Sequence, residues 1–264
     1  MHTVTDRFRD LHQAGCFVMP NPFDVGSARL LDALGFPALA TTSAGFAATL
    51  GRDDMQVTRD ELVAHVAALT RASSVPLNVD AERCFAETAD GIAATVHLLA
   101  DAGAAGLSIE DWNPETDSID AVDVATERVR AAATAAAERG LVLTARCENH
   151  LRGVDDFADT LTRLRGYLAA GAEVLYAPLL VSAEQVAAVA ALGAPVNVLL
   201  LPGGPDVATL AERGARRISV GSSLANIAQG AMVASAEHLL AYGTFAADAP
   251  FIAGALKKQA FTSA

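Results

Sequence analysis

The chain has 264 residues, is 52% hydrophobic and carries a formal net charge of -12, so it can bury one sizeable core. That charge, with no Lys/Arg run to offset it, argues against a nucleic-acid surface or an anionic membrane as partner. Three scattered cysteines, Cys16, Cys84 and Cys147, exclude a disulfide framework and a CxxC metal knot, and no apolar run reaches the ~18 residues of a membrane span.

From the N-terminus, MHTVTDRFRD is charged and lacks signal-peptide character, so the expected location is a reducing cytoplasm. Short β-rich runs then alternate with Ala/Leu-rich amphipathic runs. CFVMP (16–20) precedes VGSARLLDALG (25–35), and ALATT (38–42) precedes TRDELVAHVAALTRA (58–72). PLNVD (76–80) leads to ETADGIAATVHLLADAG (87–103), and GLSIE (106–110) to AVDVATERVRAAATAAAERG (121–140). LVLTARC (141–147) is followed by VDDFADTLTRLRGYLAAG (154–171), and EVLYAP (173–178), PVNVLLL (195–201) and RRISVG (216–221) complete the strands. Gly35, Gly103, Gly140, Gly171, Gly193 and Gly214 stand where helices should end. Eight strand–helix periods in this length predict a single (β/α)8 TIM barrel over residues 1–264, in preference to a doubly wound open sheet.

A barrel builds its active site at the C-terminal ends of the strands. Asp80 and Glu82 leave the third strand, Glu110 and Asp111 the fourth, Arg146 and Glu148 the fifth, and Asn197 lies in the seventh. Carboxylates crowded into one mouth raise one another's pKa unless a cation neutralises them, and an all-oxygen set suits Mg²⁺ or Mn²⁺ rather than Zn²⁺. Each acid could instead begin a loop as a cap, but capping accounts for neither Glu82 and Glu110 nor Arg146. Arg146 offers a planar fork of donors for a carboxylate or enolate oxygen, and Gly45 in TTSAG allows close backbone approach.

The segment NPFDVGSARLLDALGFPALATTSAG, followed by LGRDD, VDAE, SIEDW, ARCEN and PVN, resembles the isocitrate lyase and phosphoenolpyruvate mutase superfamily over nearly the whole chain. The resemblance implies a Mg²⁺-dependent barrel that makes or breaks a C–C or P–C bond next to a carboxylate. It implies that Asp80 binds the metal, with Glu82, Glu110 and Asp54 around its water shell. Ser43, Ala44 and Gly45 would cradle the substrate carboxylate, Arg146 would hold a substrate oxygen and Glu148 would orient Arg146. The expected catalytic group is therefore Arg146, Glu148 and Asp54, with Asn197 among the substrate-binding residues.

The chain also departs from that pattern. Isocitrate and methylisocitrate lyases carry a Lys/Arg-Cys-Gly-His loop after the fourth strand, whereas here the segment reads EDWNPETDSIDAVD, without Cys, His or Lys. Asn113, Glu115, Thr116, Asp117 and Ser118 remain as lid candidates or simply as solvated loop. Cys84 and His150 lie close to the site in sequence, as a thiol and an acid respectively, and the glycines of LLPGGPD are expected to form a turn. Three functions stay open: a Mg²⁺-dependent lyase or decarboxylase of a small 2-oxo or 2-hydroxy dicarboxylic acid acting through an enolate, a phosphonopyruvate-type mutase or hydrolase, and a non-catalytic metal and carboxylate binder.

At the C-terminus, LANIAQGAMVASAEHLLAYG (224–243) reads as the closing helix, and residues 244–264 as an extension carrying FIAGALKKQAF (251–261). Its apolar residues Phe251, Ile252, Leu256 and Phe261 need a surface. They could fold back on their own barrel. The family resemblance implies instead exchange with a neighbouring subunit in a homo-oligomer, a dimer or tetramer.

Overall fold

A computed structural model describes residues 3–180 and 182–262. In chain order the elements are α1 (Val4–Leu11), β1 (Phe17–Met19), α2 (Val25–Ala33), β2 (Leu39–Ala40), α3 (Ser43–Thr49), α4 (Arg59–Ala72), β3 (Leu77–Asp80), α5 (Ala89–Asp101), β4 (Gly106–Glu110), β5 (Trp112–Asn113) and β6 (Ser118–Ile119). They continue with α6 (Val122–Arg139), β7 (Val142–Arg146), α7 (Phe157–Ala169), β8 (Val174–Tyr176), α8 (Ala183–Ala190), β9 (Val196–Leu199), α9 (Val207–Glu212), β10 (Ala215–Ser219), α10 (Ser223–Tyr242) and α11 (Gly254–Thr262).

Each of the eight expected strands forms, most of them trimmed at the ends, with β4 matching its expected range and β10 starting one residue early at Ala215, and they pair in the order β1-β10-β9-β8-β7-β4-β3-β2. Every pairing in that sheet is parallel. Across the remaining gap the Ala40 amide donates to the Pro20 carbonyl at 3.1 Å, so the sheet is a nearly closed (β/α)8 barrel. Helices lie between the strands because the strands are buried on both faces and need apolar cover outside. Thr58 starts α4 by a reciprocal capping box with Glu61, and Gly140 ends α6 in the left-handed conformation at φ 69°.

The charged N-terminal stretch, not expected to be an element, folds as α1 under a Thr3/Asp6 capping box. It brings the fully buried Phe8 against Phe17, Met19, Val142 and Val174, plugging the barrel end opposite the site. Gly106 makes room for it, since a Cβ there would lie 2.8 Å from the Phe8 ring and 2.6 Å from the Val142 carbonyl. Among the described residues, no helix is long and apolar enough to cross a membrane.

The C-terminal extension rests on its own chain. Ala260 of α11 is buried, and Gln259 donates to the Ala33 carbonyl at the end of α2 at 3.0 Å. Phe251, Ile252 and Phe261 nevertheless remain exposed, and helix exchange is not seen in this single chain.

Candidate active site

Asp80, the last residue of β3, is fixed through its own backbone: its amide donates to Thr41 Oγ at 2.8 Å. Its carboxylate accepts the Ser43 amide at 3.3 Å and faces Arg146 Nη1 at 3.7 Å. Arg146, the last residue of β7, places the same Nη1 3.2 Å from Glu110 Oε2 at the end of β4, and its Nε donates to Glu148. Three of the acids expected from sequence, Asp80, Glu110 and Glu148, therefore meet around the guanidinium of the expected Arg146. Glu148 has no exposed surface, and its second oxygen pairs with Arg152 at 3.3 Å. Arg152 in turn stacks 3.9 Å above the Trp112 ring.

Glu82 completes the group from a strained loop. It sits at φ 48°, and Cys84 and Phe85 follow at 62° and 53°, conformations that cost L-residues energy unless the surroundings enforce them. The enforcement is visible. Arg128 of α6 donates from Nη2 to the carbonyls of Arg83 and Ala86, both at 2.6 Å, and Thr95 donates to the Cys84 carbonyl at 2.9 Å. Arg83 grips Asp120 through Nε at 2.9 Å and Nη2 at 3.2 Å, tying this loop to the segment that enters α6.

The electrostatics follow from burial. Glu82 is pushed up to about 8, first by desolvation and then by Asp80 and Asp54, with Arg146 opposing. Glu110 is raised well above the usual carboxylate range by desolvation; Arg146 counters it, and Glu148, Asp80 and Glu82 add to the rise. Glu110 Oε1 is buried without a hydrogen-bond partner. Mutually repelling carboxylates with an orphaned oxygen are the donor set a hard divalent cation fits. Among the described residues no three His, Cys, Asp or Glu side chains form a cage that could wrap such an ion unaided.

Other expected residues fall into different places. Ser43, Ala44 and Gly45 are not a loop but the first turn of α3, capped by Thr42 Oγ, which accepts the Gly45 amide at 3.2 Å. A Cβ on Gly45 would lie 2.5 Å from Thr42 Cγ2 and 3.3 Å from the Ala225 and Phe23 Cβ atoms, so the packing around this turn requires a glycine. Asp54 is exposed at the rim, where it accepts its neighbour Met55's amide at 3.1 Å. Asn197 is buried below the mouth, its amide nitrogen on Ser219 at 2.9 Å and its oxygen on Arg217 at 2.9 Å. Asp111 turns away from the mouth and holds the Tyr167 hydroxyl at 2.6 Å and the Glu148 amide at 2.8 Å.

The Cys84 thiol is wholly buried and pushed up to about 12 by desolvation, which removes it as a nucleophile. His150 lies near Thr160 of α7, at 3.3 Å, and near Asp155 rather than in the mouth. The lid candidates form a small antiparallel hairpin, β5–β6, with Asp117 at φ 50° in its turn. Gly203 takes φ 77° in the expected turn. Sequence reasoning missed Tyr176, Arg217 and Arg152. The first two occupy strand positions whose inward direction only the register reveals, and Arg152 reaches Glu148 one helical turn later.

Residues 8–240 match the family model described as phosphoenolpyruvate phosphomutase. Oxaloacetate decarboxylase of Paraburkholderia xenovorans (strain LB400) is 33% identical over 233 residues, 83% of this chain and 76% of its own. A crystal structure of a Burkholderia cenocepacia J2315 protein, described only as a candidate lyase/mutase, is 42% identical with a TM-score of 0.93, covering 98% of this chain and 96% of that one. The crystal structure of 2,3-dimethylmalate lyase, a phosphoenolpyruvate mutase/isocitrate lyase superfamily member, has a TM-score of 0.86 at 25% identity, covering 99% and 96% of the two chains. The barrel, the acid–arginine cluster at its mouth and these likenesses have one conclusion: the chain belongs to the phosphoenolpyruvate mutase/isocitrate lyase superfamily.

Proposed function

We propose that this protein is a Mg²⁺-dependent lyase or decarboxylase that cleaves a C–C bond in a small 2-oxo or 2-hydroxy dicarboxylic acid. The observation that carries the reading is the convergence of Asp80, Glu110 and Glu148 on Arg146 at the barrel mouth, with Glu82 close enough to feel both Asp80 and Arg146 and one Glu110 oxygen left unpartnered. Asp80 would hold the cation, and Glu82 and Glu110 would accept hydrogen bonds from its waters. A bound divalent cation supplies positive charge against the enolate left when the C–C bond breaks. Arg146 donates to the substrate carboxylate or enolate oxygen, and Glu148 fixes its plane from behind. The likeness to an oxaloacetate decarboxylase favours oxaloacetate as the first substrate to try.

The hairpin β5–β6 carries no Cys, His or Lys, so it lacks the acid of the isocitrate-type loop and the lysine of the phosphonopyruvate mutase loop. Decarboxylation suits such a site, because carbon dioxide leaves without a base having to remove a hydroxyl proton, and the enolate left behind can take its proton at C3 from solvent water to give pyruvate. The test is turnover of a panel containing oxaloacetate, substituted malates, 2-methylisocitrate and phosphonopyruvate, each with Mg²⁺ and with EDTA. Metal-dependent release of pyruvate from oxaloacetate is the expected result. Turnover of phosphonopyruvate alone would move the protein to P–C chemistry, and no turnover of any member would make it a binding protein.

A further inference from the structure

Beneath the carboxylates the pocket ends on a second cation. Arg217 of β10 is 1% exposed and lines the same chamber as Asp80, Arg146 and Tyr176. Its Nη2 donates to Thr144 Oγ of β7 at 2.8 Å, and because β9 and β8 separate those strands in the sheet, this bond crosses the barrel lumen. Its Nε donates to Asn197 Oδ1 at 2.9 Å, and Nη1 faces His12 Nε2 at 3.4 Å. His12 gives its Nδ1 proton to the Phe8 carbonyl at 2.9 Å, which leaves Nε2 as the acceptor for Arg217.

All of these partners are neutral. Among the described residues Arg217 joins no ion pair, and desolvation pulls its guanidinium down to about 9. Apart from Asp80 and Arg146, which face each other at 3.7 Å, the chamber around it is lined by uncharged groups, including Asn21, Asn78, Ser108 and Ser219. Burying a lone charge is costly, and buried charges are ordinarily paired. Arg146 is already matched by Asp80, Glu110 and Glu148, so the unbalanced positive charge in the pocket belongs to Arg217. The chamber measures about 50 Å³, far below the several hundred Å³ of clefts that take drug-sized ligands, so its occupant has few atoms.

We propose that Arg217 is a specificity-determining residue: from the pocket floor it supplies the charge that a second carboxylate neutralises, so the site favours small dianions over monoanions of the same size. The inference rests on the mouth being a carboxylate and metal site.

Oxalate and pyruvate test it, because they have equal numbers of heavy atoms and differ by one charge. Calorimetric titration of the full chain, with Mg²⁺ and separately in EDTA, gives the preference for oxalate. In wild type oxalate binds more tightly than pyruvate under both conditions. Arg217→Met lowers oxalate affinity by at least ~10-fold, as expected for loss of a charge-assisted contact, lowers pyruvate affinity much less, and leaves Mg²⁺ alone bound as tightly or more tightly. Arg217→Lys retains most of the preference. Equal losses for both anions and for Mg²⁺ would make Arg217 a structural residue and overturn the proposal. Should Arg217→Met not fold, the wild-type melting temperature decides: oxalate must raise it more than pyruvate at equal concentration in EDTA, and equal shifts refute the proposal. Preference for oxalate in EDTA with no effect of Mg²⁺ would keep the role of Arg217 and refute the metal site instead.

Discussion

The barrel mouth and the C-terminal helices depart from ordinary burial in opposite directions. At the mouth, Glu82, Glu110 and Glu148 are withdrawn from water, although folding alone would favour apolar side chains there. Along α10 and beyond, Ile227, Met232, Leu240, Tyr242 and Phe251 stand in water, although they would be more stable out of it. Two helices of similar length show how far the second departure goes. The 18-residue α6 buries six residues, among them Arg128 and Val129, whereas the 20-residue α10 buries only Ala225. Charge placed inside marks where a ligand of opposite charge belongs, and apolar surface left outside marks where another protein surface belongs. The mouth is thus where a ligand would act, and association of copies of this chain, a proposal that truncation tests, would cover the exposed apolar residues of the α10–α11 face.

The largest expected effect lies at the mouth. Chelation of wild-type protein by EDTA should abolish turnover and Mg²⁺ or Mn²⁺ should restore it, while Asp80→Ala should lower kcat/KM by roughly a thousandfold with no rescue by added metal, because Lewis-acid stabilisation is worth several kcal/mol. Full activity in chelator would remove the metal from the account. Smaller is the loss expected from Arg146→Lys, which keeps the charge but not the planar fork between Asp80, Glu110 and Glu148: at least ~10-fold in kcat/KM, or ~1.4 kcal/mol. A wild-type value would reduce Arg146 to a counter-charge for its acids.

The other side of the comparison is broken by truncation. Deleting residues 248–264 removes α11 together with Phe251, Ile252 and Phe261, and should convert a dimer or tetramer to monomer or aggregate in light scattering. Full-length protein that is already monomeric at micromolar concentration would leave the exposed face without a role.

The smallest expected effect concerns a buried group kept neutral. His12 is pushed down to about 3 by desolvation, with Arg217 adding to the fall, so between its unfolded value of about 6.5 and its folded one the unfolded chain binds the extra proton. The stability it permits is fully present above ~6.5 and is lost as pH falls, by at most ~1.4 kcal/mol per pH unit. His12→Gln should flatten the dependence of unfolding free energy on pH in denaturant titrations between about pH 6 and about pH 5. An unchanged slope would mean that His12 is protonated in the fold.

Much of the barrel was legible because its strands are short, apolar and bounded by turn residues, as in PLNVD and GLSIE, and because the helices between them end on glycine. Asp80, Glu110 and Arg146 were legible for the same reason, since a buried strand seldom closes on a charged residue unless an opposite charge meets it there. What escaped depends on contacts distant in sequence. One buried ring, Phe8, turns a charged N-terminal segment into a plug, and it fits only because Gly106 has no side chain. SAGFAAT forms a helix rather than a loop because Thr42 caps it, a signal the small residues concealed. Nothing local in RRISVG shows that Arg217 crosses the lumen to Thr144.

A crystal structure with Mg²⁺ and oxalate, which mimics the enolate of pyruvate, tests the central claim most directly. The account predicts a cation bound by an Asp80 oxygen, with Glu82 and Glu110 reaching it through waters, and an oxalate oxygen within hydrogen-bonding distance of Arg146. Oxalate bound elsewhere, or a mouth in which Asp80 stays on Arg146 and the Ser43 amide with no cation beside it at saturating Mg²⁺, would contradict it.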